Sequence, residues 1–266
     1  MDRLLDTPLL PQGRVTAVAV GSEHKEIISA LKKRGVECFE IPSNPLLSEP
    51  VSSHADCMLI QLGRKTFVAD ESITENLKIF LNSRTGKNNI VNNLTNRAGE
   101  FEIKTERVKS PYPNDIKLNV KVIGNSILCN TRFISKHITD FAKNNGYQLI
   151  HTNQGYSACS SVLLNNSTVL TDDESIYDAC NRTEIFATMI GKGQIKLKGL
   201  NYGFIGGCCG FIDKNLLAFT GRLDSLNDCN IILNMLKANE IEYIELTDDV
   251  MTDIGGIIPV TEELLY

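Results

Sequence analysis

The sequence predicts an α/β fold made of repeated ββαβ units, closed into a five-membered ring. Three observations carry that prediction. A hairpin, an amphipathic helix and a closing strand recur roughly every fifty residues, the spacing of a repeat architecture. Two fragments are nearly the same, Ala69-Asp70-Glu71-Ser72-Ile73 and Asp172-Asp173-Glu174-Ser175-Ile176, each with an acidic helix start directly after a strand. Finally, the N-terminus opens with strand, helix, strand and the C-terminus ends in a lone strand, so the two ends together make the fifth unit.

In order, Val15–Val20 is a valine-rich strand between Gly13 and Gly21. Glu23–Arg34 sets Ile27, Ile28 and Leu31 on one helical face before Gly35, and Val36–Ile41 returns as a strand. The next unit pairs Cys57–Leu62 with Lys65–Ala69 across a turn at Gly63-Arg64. Ser72-Ile73-Thr74-Glu75 has the form of a capping box, leading a stripe of Ile73, Leu77, Phe80 and Leu81. Residues 83–112 are polar and Asn-rich, an irregular insertion with one short strand at Phe101–Ile103.

The pattern then resumes. Leu118–Ile123 and Ser126–Cys129 flank Gly124-Asn125, Ile134, Ile138, Phe141 and Ala142 define a helix ended by Gly146, and Tyr147–Ile150 closes the unit. The third copy has strands at Cys159–Leu164 and Thr168–Leu170, a helix opened by Thr171–Ile176, and a closing strand at Gln194–Leu197. The fourth has a hairpin over 209–219, a helix over 225–238 and a strand over 242–246; Ile254–Val260 is the lone last strand. All 266 residues are expected to form a single domain.

Composition narrows the function. A net charge of -5 with scattered basic residues argues against nucleic-acid or anionic-membrane binding. The start of the chain lacks the apolar core of a signal peptide and no apolar run spans a membrane, so a cytoplasmic protein is expected. The eight cysteines are then expected as free thiols. With no CxxC pair and four histidines far apart, neither a metal site nor a cofactor is expected. Gly206-Gly207 and Gly210 lack phosphate-loop spacing and are read as tight packing.

The repeat, with its glycine pairs Gly206-Gly207 and Gly255-Gly256, resembles the pentein superfamily of guanidine-group-modifying enzymes. That resemblance implies a five-bladed α/β propeller about a pseudo-fivefold axis, with polar residues where each first hairpin strand begins, facing a central channel. Deiminases and dimethylarginine hydrolases of the superfamily use a Cys nucleophile near the C-terminal strand, a His from an earlier unit, and carboxylates that grip the guanidinium. Here the C-terminal signature reads Gly255-Gly256-Ile257-Ile258-Pro259-Val260-Thr261 without a Cys, and Gly207 is followed by Cys208 where a His is expected.

Carried onto this chain, the channel candidates are His54, Asp56, Asn114, Asp115, Ser157, Cys159, Cys208, Cys209 and Asp253. Cys208 or Cys209 would be a relocated nucleophile if His54 or Arg222 lay across the channel from it; otherwise both are small buried hydrophobes. The carboxylates at unit starts either converge on a small cationic ligand or cap their own turns. Asp172 and Glu71 are read as helix-start residues, and His24, His137 and His151 receive no role. The expected function is a divergent pentein that hydrolyses or transfers at a guanidine-like C–N bond. The alternative is a non-catalytic pentein that binds a small ligand or a protein, as the superfamily's ribosome-binding translation factors do.

Overall fold

The computed structural model describes residues 2–63, 65–86 and 101–264. Its strands form five small sheets. In the first, β1 (Arg3–Leu4) and β2 (Arg14–Gly21) lead into helix α1 (Lys25–Lys33) and β3 (Glu37–Ile41). Ile27, Ile28 and Leu31 are the buried face of α1, and Gly35 (φ +76°) turns the chain back beneath it. This sheet has the order β1-β16-β2-β3, so a strand from the far end of the chain lies inside it.

The second sheet follows a single short turn of helix, α2 (Ala55–Met58). It pairs β4 (Leu59–Gly63) antiparallel with β5 (Thr66–Asp70), and α3 (Thr74–Arg84) crosses to β6 (Glu102–Glu106), parallel to β5. The third and fourth repeat the plan: β7 (Lys121–Ile123), β8 (Ser126–Cys129), α4 (Lys136–Asn145), β9 (Gln148–His151); then β10 (Ser161–Asn165), β11 (Thr168–Thr171), α5 (Glu174–Cys180), β12 (Phe186–Met189). In the fifth, β13 (Cys209–Asp213), β14 (Leu216–Phe219), α6 (Cys229–Ala238) and β15 (Glu242–Glu245) do the same. β16 (Ile258–Glu263) then runs antiparallel to β2.

The repeat extends to individual atoms. After β5, Asp70 Oδ1 accepts from the Ser72 amide (3.0 Å) and hydroxyl (2.6 Å); after β11, Asp173 Oδ1 accepts from the Ser175 amide (2.9 Å) and hydroxyl (2.7 Å). One Asp-x-Ser turn therefore launches both helices. Because Ser72 spends its hydroxyl on Asp70, the expected capping box does not form, and α3 starts at Thr74.

Several boundaries differ from expectation. The 83–112 excursion contains β6, the closing strand of its unit, whose alternating polar side chains hide it; residues 87–100 of the excursion and Arg64 of the first expected turn lie outside the described residues. The third unit closes at β12, not at 194–197: α5 is only seven residues long, so the chain returns early, and Ile195 and Lys196 make isolated bridges to Gly203 and Thr252. A 3₁₀ turn at Leu223–Ser225 delays α6 to Cys229. The last strand starts at Ile258, since Gly255 and Gly256 both hold φ near +80° and turn the chain first.

Each sheet sends its first hairpin strand, or β16 in the first sheet, to one shared cavity. Leu59–Gln61, Lys121, Ser161–Leu163, Cys209–Phe211 and Ile258-Pro259 line its wall. No helix among the described residues is long and apolar enough to cross a membrane.

Candidate active site

Where these first strands begin, the chain gathers buried polar side chains. The single helical turn α2 before β4 supplies Asp56 and Cys57, with His54 at its N-cap; the loop before β7 supplies Asp115 and Asn119, and the segment before β10 supplies Cys159. Asp172 follows β11, and Asp253 stands in the loop before β16. All are buried, and no sheet supplies them alone. Asp253 is 1% exposed and ties two loops together: Oδ1 accepts from the Gly255 amide and Oδ2 from the Phe204 amide, both at 2.9 Å. A Cβ on Gly207 would sit 1.8 Å from Asp253 Oδ1, so close packing explains that glycine.

Asn119 organises the centre. Its Nδ2 approaches Cys159 Sγ (3.1 Å), Cys57 Sγ (3.5 Å) and the Asp56 carbonyl (3.3 Å), and its Oδ1 accepts from the amides of Ala158 and Cys159 (2.8 and 3.3 Å). Cys159 donates to Asp56 Oδ2 at 2.8 Å. His54 Nδ1 lies 3.9 Å from Asp253 Oδ1 and makes no hydrogen bond. The Tyr156 hydroxyl donates to Asp115 Oδ2 at 2.9 Å. Against this polar group, one oxygen each of Asp56, Asp115 and Asp172 accepts no hydrogen bond from any described residue.

Burial sets the protonation. It raises the Asp56 carboxyl to about 6, with His54 opposing, and the Asp172 carboxyl to about 7, with the Ile205 amide opposing. Burial, then the Cys57 contact and the Asp56 charge, push the Cys159 thiol well up. Lys121, on the wall of the shared cavity, is held low by burial.

The sequence candidates separate on this geometry. His54, Asp56, Cys159 and Asp253 come together with Asp115 at the edge of the group. Cys208 is adjacent, but its thiol donates to the Phe204 carbonyl (3.2 Å), and burial followed by the Asp253 charge pushes it well above the usual range. Cys209 faces the cavity wall and is pushed up to about 12 by burial. Cys208 has no base or cation beside it, and at Cys209 the nearby Lys121, itself held low by burial, only partly opposes the burial that raises the thiol. Arg222 is on the surface, paired with Asp224 at 3.1 Å, and does not reach Cys208. Asn114 closes a turn on the Pro111 carbonyl (3.1 Å), and Ser157 pairs with Thr152 (3.0 Å).

Three residues of the group escaped sequence reading. Asn119 and Cys57 sit at unit starts, the positional signal that selected Asp56. Asp172 has the sequence position of a helix start, but the cap is Asp173, and Asp172 instead accepts from the Ile205 amide (2.9 Å) and turns toward Asp253. In the sequence, the missing CxxC pair and the four distant histidines speak against a metal, but the fold brings separated donors together. A ring nitrogen of His54, an oxygen of Asp56 and the sulfurs of Cys57 and Cys159 all lie within 4.8 Å of one another.

An aromatic layer covers the group. Tyr156 packs between Tyr112 and Phe204, with ring centroids 6.2 and 6.3 Å away, and Tyr202 meets Phe204 edge-on. Beside it an open cleft of about 820 Å³ is lined by Tyr112, Tyr156, Asp172, Asp173 and Lys192 among others, so Asp172 belongs to both the cleft and the buried group.

This α/β arrangement is the fold of the pentein superfamily. The chain is similar to agmatine deiminase of C. jejuni, with a TM-score of 0.52, 10% identity, and 92% and 91% of the two chains covered. It is similar also to an amidinotransferase of the saxitoxin pathway from Microseira wollei (0.52, 9% identity, 94% and 96% covered) and to an inosamine-phosphate amidinotransferase from Streptomyces griseus (0.50, 11% identity, 97% and 96% covered). Within that fold the chain belongs to a family of unknown function, DUF6873, which it matches over residues 19–258. No curated protein matches it.

Proposed function

We propose that this protein binds a small cation bearing a guanidinium or related amidinium group and acts on one of its C–N bonds, with its five units set as blades about the shared cavity. The observation that carries this reading is the set of buried carboxylate oxygens on Asp56, Asp115 and Asp172 that face no donor. Buried carboxylates without donors are costly, and a planar guanidinium offers five N–H donors with a weakly hydrated charge. Asp172 links the group to the open cleft, which gives such a ligand a route. The cation would also hold the carboxylates ionised against the burial that raises them. The resemblance to enzymes named for agmatine and for amidino transfer supports the same chemical class.

A second reading, ligand binding without turnover, draws support from the thiols: Cys208 is closed onto a backbone carbonyl, and Cys159 is held protonated. Calorimetric titration with agmatine, arginine and free guanidinium, each against a primary amine of equal length, tests the class. Guanidines should bind and amines should not, and Asp172→Asn should weaken guanidine binding by roughly ten- to a hundredfold, the loss of one charged hydrogen bond. Equal binding of amines, or no binding of either, overturns the reading. Ammonia or amine release from the bound ligand separates turnover from binding alone.

A further inference from the structure

We propose that His54, Cys57 and Cys159 hold a divalent, zinc-class ion, and that water on this ion, with Asp56 beside it, is the group that attacks the guanidine carbon. This rests on the substrate class proposed above and names the attacking group, a role from which Cys208 is held by its closure onto the Phe204 carbonyl.

The donor set is built and buried. Four donors within 4.8 Å of one another need to close by only about 1 Å to reach the roughly 3.3–3.8 Å separations of a tetrahedral site with Zn–S near 2.3 Å and Zn–N near 2.0 Å. His54 is 3% exposed, and its ring makes no hydrogen bond; Asp56 is 6% exposed, with Oδ1 likewise without a donor. A buried imidazole without a hydrogen bond and a buried carboxylate with one oxygen unmet, beside two thiols, form an arrangement that a cation completes. Two sulfurs and one imidazole select zinc over magnesium or calcium, which take oxygen donors. The second layer fits as well: Asn119 Nδ2 points at both sulfurs, placed to stabilise thiolates, and Asp253 lies 3.9 Å from His54 Nδ1.

Three protein ligands leave a fourth position for water, as in hydrolytic metal sites. Binding the ion releases the two thiol protons to solvent. Water on the ion then passes a proton to Asp56 as its oxygen bonds to the guanidine carbon. When the C–N bond breaks, Asp56 returns that proton to the leaving nitrogen, and the proton left on the new C–OH passes to the departing amine or to solvent as the urea carbonyl forms. The products are a urea and an amine or ammonia, with no change of oxidation state.

The test uses the full-length protein. After metal removal with a chelator, Co²⁺ is added and the visible and near-ultraviolet spectra are recorded. One ion per chain should bind, with the intense visible bands of a tetrahedral site and a sulfur-to-cobalt charge-transfer band, and Zn²⁺ should displace it. Because this is read on the unaltered chain, it does not depend on variants folding. Cys57→Ser and Cys159→Ser should each weaken the charge-transfer band and lower affinity at least a hundredfold, while Cys208→Ser leaves both unchanged. Asp56→Asn should retain the cobalt spectrum and lose turnover. Absence of stoichiometric binding, or a band that survives both cysteine changes, overturns the site. Metal binding without turnover of any guanidine upholds the ion site and refutes its catalytic role, whereas undiminished turnover in metal-free protein refutes the ion as the source of the attacking group and leaves the substrate class standing.

Discussion

Asp172 carries the clearest electrostatic consequence at the scale of single residues. Burial lifts its carboxyl from the ordinary 3.8 to about 7, above its value in the unfolded chain. Its stabilising contribution is therefore complete below about pH 3.8 and is lost as pH rises through 7, because the folded state resists ionisation there. Linkage puts the loss at up to about 4 kcal/mol. Asp172→Asn keeps an acceptor for the Ile205 amide and has no charge to bury. Urea unfolding at pH 5 and pH 8 should find the wild-type protein less stable at pH 8, and the variant should lose clearly less over that interval, the remaining loss coming from Asp56, whose carboxyl burial raises to about 6. A wild-type midpoint that rises between those values would contradict the burial argument. Cys208 gives the opposite lesson. Its doublet with Cys209 stands out in the sequence, yet burial and then the Asp253 charge push the thiol well above the usual range, and it donates to a backbone carbonyl.

Among the elements, the helix starts are where polar chemistry and structure meet. Ser135 caps α4 by accepting from the His137 amide (3.2 Å) and donates to Glu106 Oε2 (2.6 Å), which fastens α4 to the end of β6. Ser135→Ala should cost about 1–2 kcal/mol in thermal or urea unfolding, a cap plus a charged hydrogen bond, with no change in guanidine or cobalt binding. A cost below about 0.3 kcal/mol would mean that water replaces both contacts. β6 and β12 show why closing strands were the hardest elements to read. Each is an edge strand paired on one side only, so its side chains are half-buried or exposed, none is buried, and they carry no apolar alternation. The hairpin strands, buried on both faces, were legible as apolar runs.

Across the whole molecule, the arrangement depends on a single insertion. β16 lies between β1 and β2, placing Ile258 and Val260 in the same core cluster as Ala17 and Ala19, and its Glu262 carboxylate accepts from the Gln12 and Gly13 amides (2.6 and 3.0 Å). It also contributes Ile258 and Pro259 to the shared cavity. A chain ending at Ile257 should lose cooperative unfolding and the near-ultraviolet dichroism of its tyrosines. Cooperative unfolding of that shortened chain would show that the other four sheets stand without this closure.

The sequence by itself determined the repeat. Turn glycines, Asp-x-Ser helix starts and apolar hairpin strands are local signals, set by backbone conformation and by burial periodicity within a few residues. It also determined that polar residues stand at the unit starts, among them His54, Asp56, Cys159 and Asp253. Only the tertiary structure decided which of these meet. His54 and Cys159 are more than a hundred positions apart, Asn119 bridges the two thiols from a third unit, and Asp172 turns inward because its neighbour Asp173 takes the capping role. Such meetings depend on how separate sheets pack around one centre, and no spacing along a single chain encodes that geometry.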